Sequence, residues 1–175
     1  SEKLILWLPM RTGARYTHGA FCQAGFDLST GVPTHQVGCD GTHKDYDVVL
    51  TVRNPYRRVL SLWAWQNIIN KEKLEWDEWM DKRFHPNFSR FVISKELGRD
   101  LERVTYLVKL ESIYKDIQAI PCFPENFDWA PNYFKSTDLE DLDVNNVIYP
   151  WQEKLIWKYF KKDFKNFGYE RYCYD

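Results

Sequence analysis

The chain has 175 residues, enough for one domain with a sizeable core, and its 44% hydrophobic and 28% charged content is ordinary for a globular protein. A formal net charge of −1 excludes a global field that would recruit nucleic acid or an anionic membrane, so any anion site must be a local cluster. No run approaches the ~18 apolar residues of a membrane span. The four cysteines (Cys22, Cys39, Cys122, Cys173) form no CxxC pair and no metal-ligand spacing, and free thiols in a reducing compartment are expected.

In chain order, the apolar run 3–8 reads as a first strand, stopped by Pro9. The loop from Pro9 through Arg11, Thr12, Gly13, Ala14, Arg15 and Tyr16 to Thr17 follows, and helical spacing then carries Phe21 and Cys22 to an end at Gly25. A strand, a Gly-containing turn and a helix N-terminus form an anion site, because outward N–H groups and the helix dipole favour negative charge. Arg11 and Arg15 add to it; the alternative is an ordinary βα connection. The loop is not G-x-x-x-x-G-K-[ST], having one Gly and no Lys.

Residues 26–44 are rich in Gly, Thr, Asp and His, with one short candidate strand over 34–37. His35 and His43 lie here; each reads either as a surface or structural histidine or, beside a phosphate site, as a general base.

The segment 48–61 is the centre of the chain. Val48–Val52 is a β-branched apolar run of the kind found in buried parallel strands, and it ends at Arg53-Asn54-Pro55, where Pro55 suits the first turn of a helix. Arg53 would stand at the carboxyl end of that strand, where open α/β sheets bind ligands. Ser61 falls about two helical turns on. The guanidinium and the hydroxyl suit a phosphate, or else are a solvated strand-end charge and a small packing residue. A P-loop nucleotidase needs an acidic residue for Mg²⁺ at that strand end, and a guanidinium would repel the metal.

The helix from 56 to 70 carries large apolar residues around most of its circumference, so it should be well buried. Trp76 and Trp79 share a helical face and read as core rather than as a base-stacking platform. His85-Pro86 interrupts the chain, a helical pattern resumes over 87–97, and Val104–Lys109 reads as another buried strand, followed by a helix from Ser112 to about Ala119. Pro121, Pro124 and Pro131 mark loop, the acidic run 138–143 a solvated face, and Asn132–Thr137 gathers Lys135 with two hydroxyls. A final helix opens at Pro150-Trp151. The whole reads as a single α/β domain over 1–175, with no repeat.

Four of these stretches, in the same order, resemble the PAPS-dependent sulfotransferases, especially the carbohydrate and Golgi-type branch. Pro9–Arg15 is similar to the 5′-phosphosulfate loop, with Met10 extra and Arg11 where many members have Lys. Val52–Ser61 resembles the 3′-phosphate motif, whose Arg and Ser are eight apart. Tyr106–Ile113 resembles a strand followed by Tyr-Glu-Asp/Asn-Leu, and 155–169 resembles the closing helix.

The resemblance implies a P-loop-like three-layer α/β/α fold around a mainly parallel sheet of about four or five strands. It further implies sulfuryl transfer from PAPS (3′-phosphoadenosine 5′-phosphosulfate) to an acceptor hydroxyl or amine by in-line displacement, without a metal. Arg11 and the loop 12–17 (Thr12, Gly13, Ala14, Arg15, Tyr16, Thr17) would hold the 5′ end of the donor, Arg53 and Ser61 its 3′-phosphate, and Lys135 would approach from the late loop. His35, whose spacing of eighteen residues before Arg53 resembles the usual placement of the family's base, would take the acceptor proton. The partners implied are the nucleotide donor and a hydroxyl-bearing carbohydrate or small molecule, with no nucleic acid and no membrane span. The expected location is cytoplasmic, or a Golgi-lumenal or secreted domain trimmed of its anchor. A non-catalytic nucleotide-binding relative and a P-loop-like nucleotide kinase are the alternatives.

Overall fold

The computed structural model describes residues 4–26, 45–71, 73–85, 88–129 and 147–172. Among them are three strands, β1 (Leu4–Trp7), β2 (Asp47–Val52) and β3 (Val104–Lys109), and six α-helices: α1 (Ala14–Gln23), α2 (Pro55–Asn70), α3 (Trp76–Trp79), α4 (Ile93–Leu97), α5 (Ile113–Gln118) and α6 (Pro150–Phe167). The protein is therefore mixed α/β with a parallel sheet of order β1-β2-β3. Three strands stand where four or five were expected; the remaining candidate, 34–37, lies outside the described residues. No helix of the described residues is long and apolar enough to cross a membrane.

Contacts divide the chain into two compact units, Ser1–Arg53 with Leu97–Lys135, and Asn54–Glu96 with Ser136–Asp175. In the first, β2 is the central strand, pairing Leu50 with Trp7 of β1 and with Leu107 of β3. That position explains its unbroken apolar run: Val48, Val49, Leu50, Thr51 and Val52 are all buried, with no solvated face to demand alternation. Leu6, Val49 and Val108 from the strands, Ala20 and Phe21 from α1, and Ile113 and Ile117 from α5 share one core with Ile120 and Phe123. Asp116 pins the β3–α5 turn: one carboxylate oxygen accepts the Lys109 N–H at 2.8 Å and the Ser112 hydroxyl at 2.7 Å.

The second unit is built on aromatic rings. Trp76 stacks on Trp79, Trp79 on Phe84, and Phe84 on Phe160 of α6, with centroids 5.7, 5.7 and 6.1 Å apart. Trp76 and Trp79 are buried, as their helical spacing predicts for core residues. The Trp76 indole donates to Gln152 Oε1 at 2.7 Å, and the same oxygen caps the start of α6 by accepting the Tyr149 N–H at 2.9 Å. The helix α2 starts cleanly, with Pro55 in its first turn and the Asn54 side chain accepting the Tyr56 N–H at 3.0 Å.

Full burial of α2 is not observed. Its first two turns are buried through Leu62, whereas Ile68 and Ile69 are 64% and 56% exposed. Its apolar residues run nearly all round rather than along one stripe, so composition gave no sign of where the covering layer stops.

Candidate functional site

The loop after β1 is held in an unusual backbone. Arg11 has φ 65° and Gly13 φ 85°, both in the left-handed region, on either side of Thr12. Glycine adopts that conformation freely; arginine does so at a cost of roughly 1–2 kcal/mol. Gly13 is additionally pressed from outside: a Cβ there would lie 2.6 Å from Leu110 Cδ1. Thr12 provides the tie that keeps the loop in place. It is fully buried, its hydroxyl donates to the Pro9 carbonyl at 2.6 Å, and it lies 2.7 Å from the Thr51 hydroxyl near the end of β2. The loop is thus bonded to the neighbouring strand two residues before Arg53.

Gly13 is the N-cap of α1 and has no side chain to cap with, so the N-cap makes no side-chain hydrogen bond to the first N–H groups of the helix. The first turn carries no acidic residue. It carries instead the exposed Arg15, at the end of the helix where the dipole is already positive. Burial, and then the nearby Arg15 charge, lower the affinity of the half-buried Arg11 guanidinium for its proton. Two arginines and a helix N-terminus therefore gather positive charge that a bound anion would relieve.

Two buried donors are left over in the same unit. Trp7 Nε1, at the end of β1, and Thr17 Oγ1, one turn into α1, are enclosed without a hydrogen-bond partner among the described residues. Each such group costs about 1–3 kcal/mol unless something else satisfies it. Tyr16, beside Thr17, is packed into an aromatic cluster, parallel to Trp129 at 6.1 Å and edge-on to Tyr114 of α5 at 5.7 Å. Burial, followed by its hydrogen bond with Tyr114, pushes the Tyr16 phenol well above its ordinary range.

Arg53 closes the first unit at the carboxyl end of β2 and is only 7% exposed. Arg11 to Ala14 and Arg53 thus sit at the same edge of a parallel sheet, as the spacing predicts. Ser61 belongs to the second unit, where it is 1% exposed within α2. His35, His43 and Lys135 lie outside the described residues. The sequence reading missed Thr51 and Leu110, which shape the loop. A hydroxyl inside the aliphatic run Val48–Val52 was the available sign for Thr51, while Leu110 carries no local signal.

No protein-family model, curated protein or solved structure matches this chain.

Proposed function

We propose that the protein is a PAPS-dependent sulfotransferase with a P-loop-like three-layer fold, moving a sulfuryl group to the hydroxyl or amine of a carbohydrate or small molecule. The observation that supports this reading best is the Thr12–Thr51 hydroxyl contact, which ties a cationic, uncapped helix-start loop to the strand that ends in Arg53. Such an edge suits a ligand with two separated anionic groups, and a nucleoside 3′,5′-bisphosphate skeleton is of that kind.

Within this reading, Arg11 and the N–H groups at the start of α1 bind the 5′-phosphate and offset the charge that builds on it during transfer. The enclosed Thr17 hydroxyl is a donor that a bound oxyanion would satisfy. Arg53 and Ser61 hold the 3′-phosphate and so fix the register of the donor. Sulfuryl transfer then depends mainly on positioning and charge stabilisation, with His35 as the base that takes the acceptor proton. A cation rather than a carboxylate beyond β2 favours this over a Mg²⁺-dependent nucleotide kinase.

The test is thermal unfolding with adenosine 3′,5′-bisphosphate, compared with ATP and Mg²⁺, on wild type and Arg53→Ala. Ligand at ~100 times its dissociation constant stabilises the folded state by about 2.7 kcal/mol. The expected result is a shift with the bisphosphate alone, abolished by Arg53→Ala. No shift, or a larger one with Mg²⁺-ATP, would remove the proposal; binding without transfer to any acceptor would leave a nucleotide-binding relative.

A further inference from the structure

The face of α6 turned away from the core carries a charge pattern that the proposed transfer does not use. At about 100° per residue, the buried Gln152, Ile156, Phe160, Asp163, Phe164 and Phe167 fall on one side of the helix. Lys154, Lys158, Lys161, Lys162 and Lys165 fall within an arc of about 100° on the opposite side, and all five are exposed. The row runs for roughly 16 Å along the helix axis. The whole of α6 belongs to the second unit.

Among the described residues, no carboxylate offsets that charge. The acidic residues of α6, Glu153 and Asp163, are both buried, the first held by Arg171 and Tyr56 and the second by the N–H groups of Ile93 and Ser94. Lys154 is close enough to Glu153 to favour its ionised form, yet none of the five lysines makes an ion pair with a described residue. The net charge of −1 conceals this row because it averages 24 basic against 25 acidic residues. Trp151 falls in the same arc, at the N-terminal end of the row. It is 50% exposed, the most exposed of the described tryptophans, whereas Trp76 and Trp79 are buried. Its indole makes no hydrogen bond or ring contact among the described residues.

The chemistry of this face selects its partner. Lysine is a hydrated point charge on a flexible stem, suited to a diffuse negative surface, whereas bidentate recognition of one phosphate or base calls for arginine, which the row lacks. Nucleic-acid surfaces interleave stacking rings with the cations; here the exposed ring stands at the end of the row. An indole beside lysines suits the headgroup layer of a bilayer, where its apolar body and its N–H are both accommodated. Four to eight basic residues on an amphipathic helix are the signature of attraction to anionic lipid. The apolar face of α6 is already used in the core, so the helix cannot sink into the acyl chains and the contact stays peripheral. We propose that the lysine face of α6 docks the protein reversibly on an anionic lipid bilayer, with Trp151 entering the headgroup layer. This assignment stands independently of the sulfotransferase reading.

The test is co-sedimentation of the whole chain with vesicles of phosphatidylcholine alone and of phosphatidylcholine and phosphatidylserine in equal parts. The mixed vesicles should bind at least about tenfold more tightly, with affinity falling as salt rises. The double variant Lys158→Gln/Lys161→Gln should weaken that binding about fivefold for each lysine removed, without changing the melting temperature, since both positions are exposed. Lys115→Gln, which removes an exposed positive charge from the first unit, should leave it unchanged. Mixed vesicles should shift the tryptophan emission to the blue in wild type and not in Trp151→Phe. The double variant should keep any thermal shift caused by adenosine 3′,5′-bisphosphate, and Arg53→Ala should keep vesicle binding, so the two proposals fail separately. Mixed vesicles that bind no better than phosphatidylcholine alone, binding that survives Lys158→Gln/Lys161→Gln, or a blue shift that survives Trp151→Phe would overturn the assignment. So would tighter binding to poly(U) RNA than to the mixed vesicles, which would make the row a nucleic-acid surface.

Discussion

The hydroxyls of Thr12 and Thr51 lie 2.7 Å apart, and the proton order between them is determined. Thr12 has one hydroxyl hydrogen, and it is committed to the Pro9 carbonyl at 2.6 Å. Thr51 must therefore be the donor of the pair, and Thr12 both accepts and donates.

That order predicts unequal costs for two near-isosteric substitutions. Thr12→Val leaves the Pro9 carbonyl and the Thr51 hydroxyl both unsatisfied in a buried setting, and should cost about 2–3 kcal/mol. Thr51→Val leaves only one lone pair unmet and should cost about 1 kcal/mol. Urea unfolding of the two variants and of the double variant checks this; the double should cost less than the sum, since the residues share one network. Equal single costs would mean that Thr12 does not carry both bonds.

At Gly13 the left-handed backbone and the crowding by Leu110 can be separated. Leu110 Cδ1 is the far end of a flexible side chain and can move, so the positive φ should dominate. Gly13→Ala should destabilise by about 1–2 kcal/mol, and Gly13→Asn by less, because asparagine tolerates that region better. If crowding were decisive, the larger Asn would be the worse of the two in a thermal melt.

Glu153 gives the second unit an acid-sensitive link. Burial raises its affinity for a proton, but hydrogen bonds from Arg171 (2.8 and 2.9 Å) and from the Tyr56 hydroxyl (2.6 Å) outweigh this and leave its carboxyl below the ordinary value. In the window between the folded and unfolded values, the unfolded chain binds more protons. Stability from this group is thus fully present above the unfolded value, about pH 4.3, and is lost as pH falls through the folded one. Stability measured from pH 6 to pH 3 should fall less steeply in Glu153→Gln than in wild type, although Glu153→Gln starts lower.

Asp163 behaves in the opposite sense. Burial pushes its carboxyl above the usual range, against hydrogen bonds from Ser94 and Ile93 and the Arg58 charge, whose Nη1 lies 4.0 Å away. Because both oxygens accept backbone N–H groups, Asp163→Asn can keep one bond and must turn an NH₂ toward the other. It should cost about 2–4 kcal/mol by denaturant unfolding, and Asp163→Ala at least as much, since both remove the carboxylate beside Arg58 and alanine also leaves both N–H groups without an acceptor.

The sequence announced what is periodic or punctuated. Val104–Lys109 could be read as β3 to the residue, although of its six residues only Val108 is buried where a buried strand was expected, and Pro150 as the start of α6, because a β-branched run and a helix-opening proline are local signals. The edge location of Arg11 and Arg53 followed from two strands each ending in a turn. What remained hidden is pairing across the chain. Nothing local tells Thr12 that its partner is Thr51, or Asp163 that it will hold the N–H groups of Ile93 and Ser94. Those partners are chosen by how the elements pack, not by spacing. The exposed end of α2 was misread for the same reason, since burial of Ile68 and Ile69 depends on what lies opposite them.

The parallel sheet also constrains the order in which the molecule can be completed. The Thr12–Thr51 contact joins residues 39 positions apart, and the β2–β3 bond from the Val48 N–H to Thr105 Oγ1 joins residues 57 apart. During synthesis β2 leaves the ribosome well before β3, with the whole of 54–96 emerging between them. Through that interval Val48–Val52 presents an unpaired, uncharged, β-branched flank, the kind of surface on which a second nascent chain can add a strand. Slow translation or high expression should therefore be felt first at this strand, as aggregation before the native sheet has its third member.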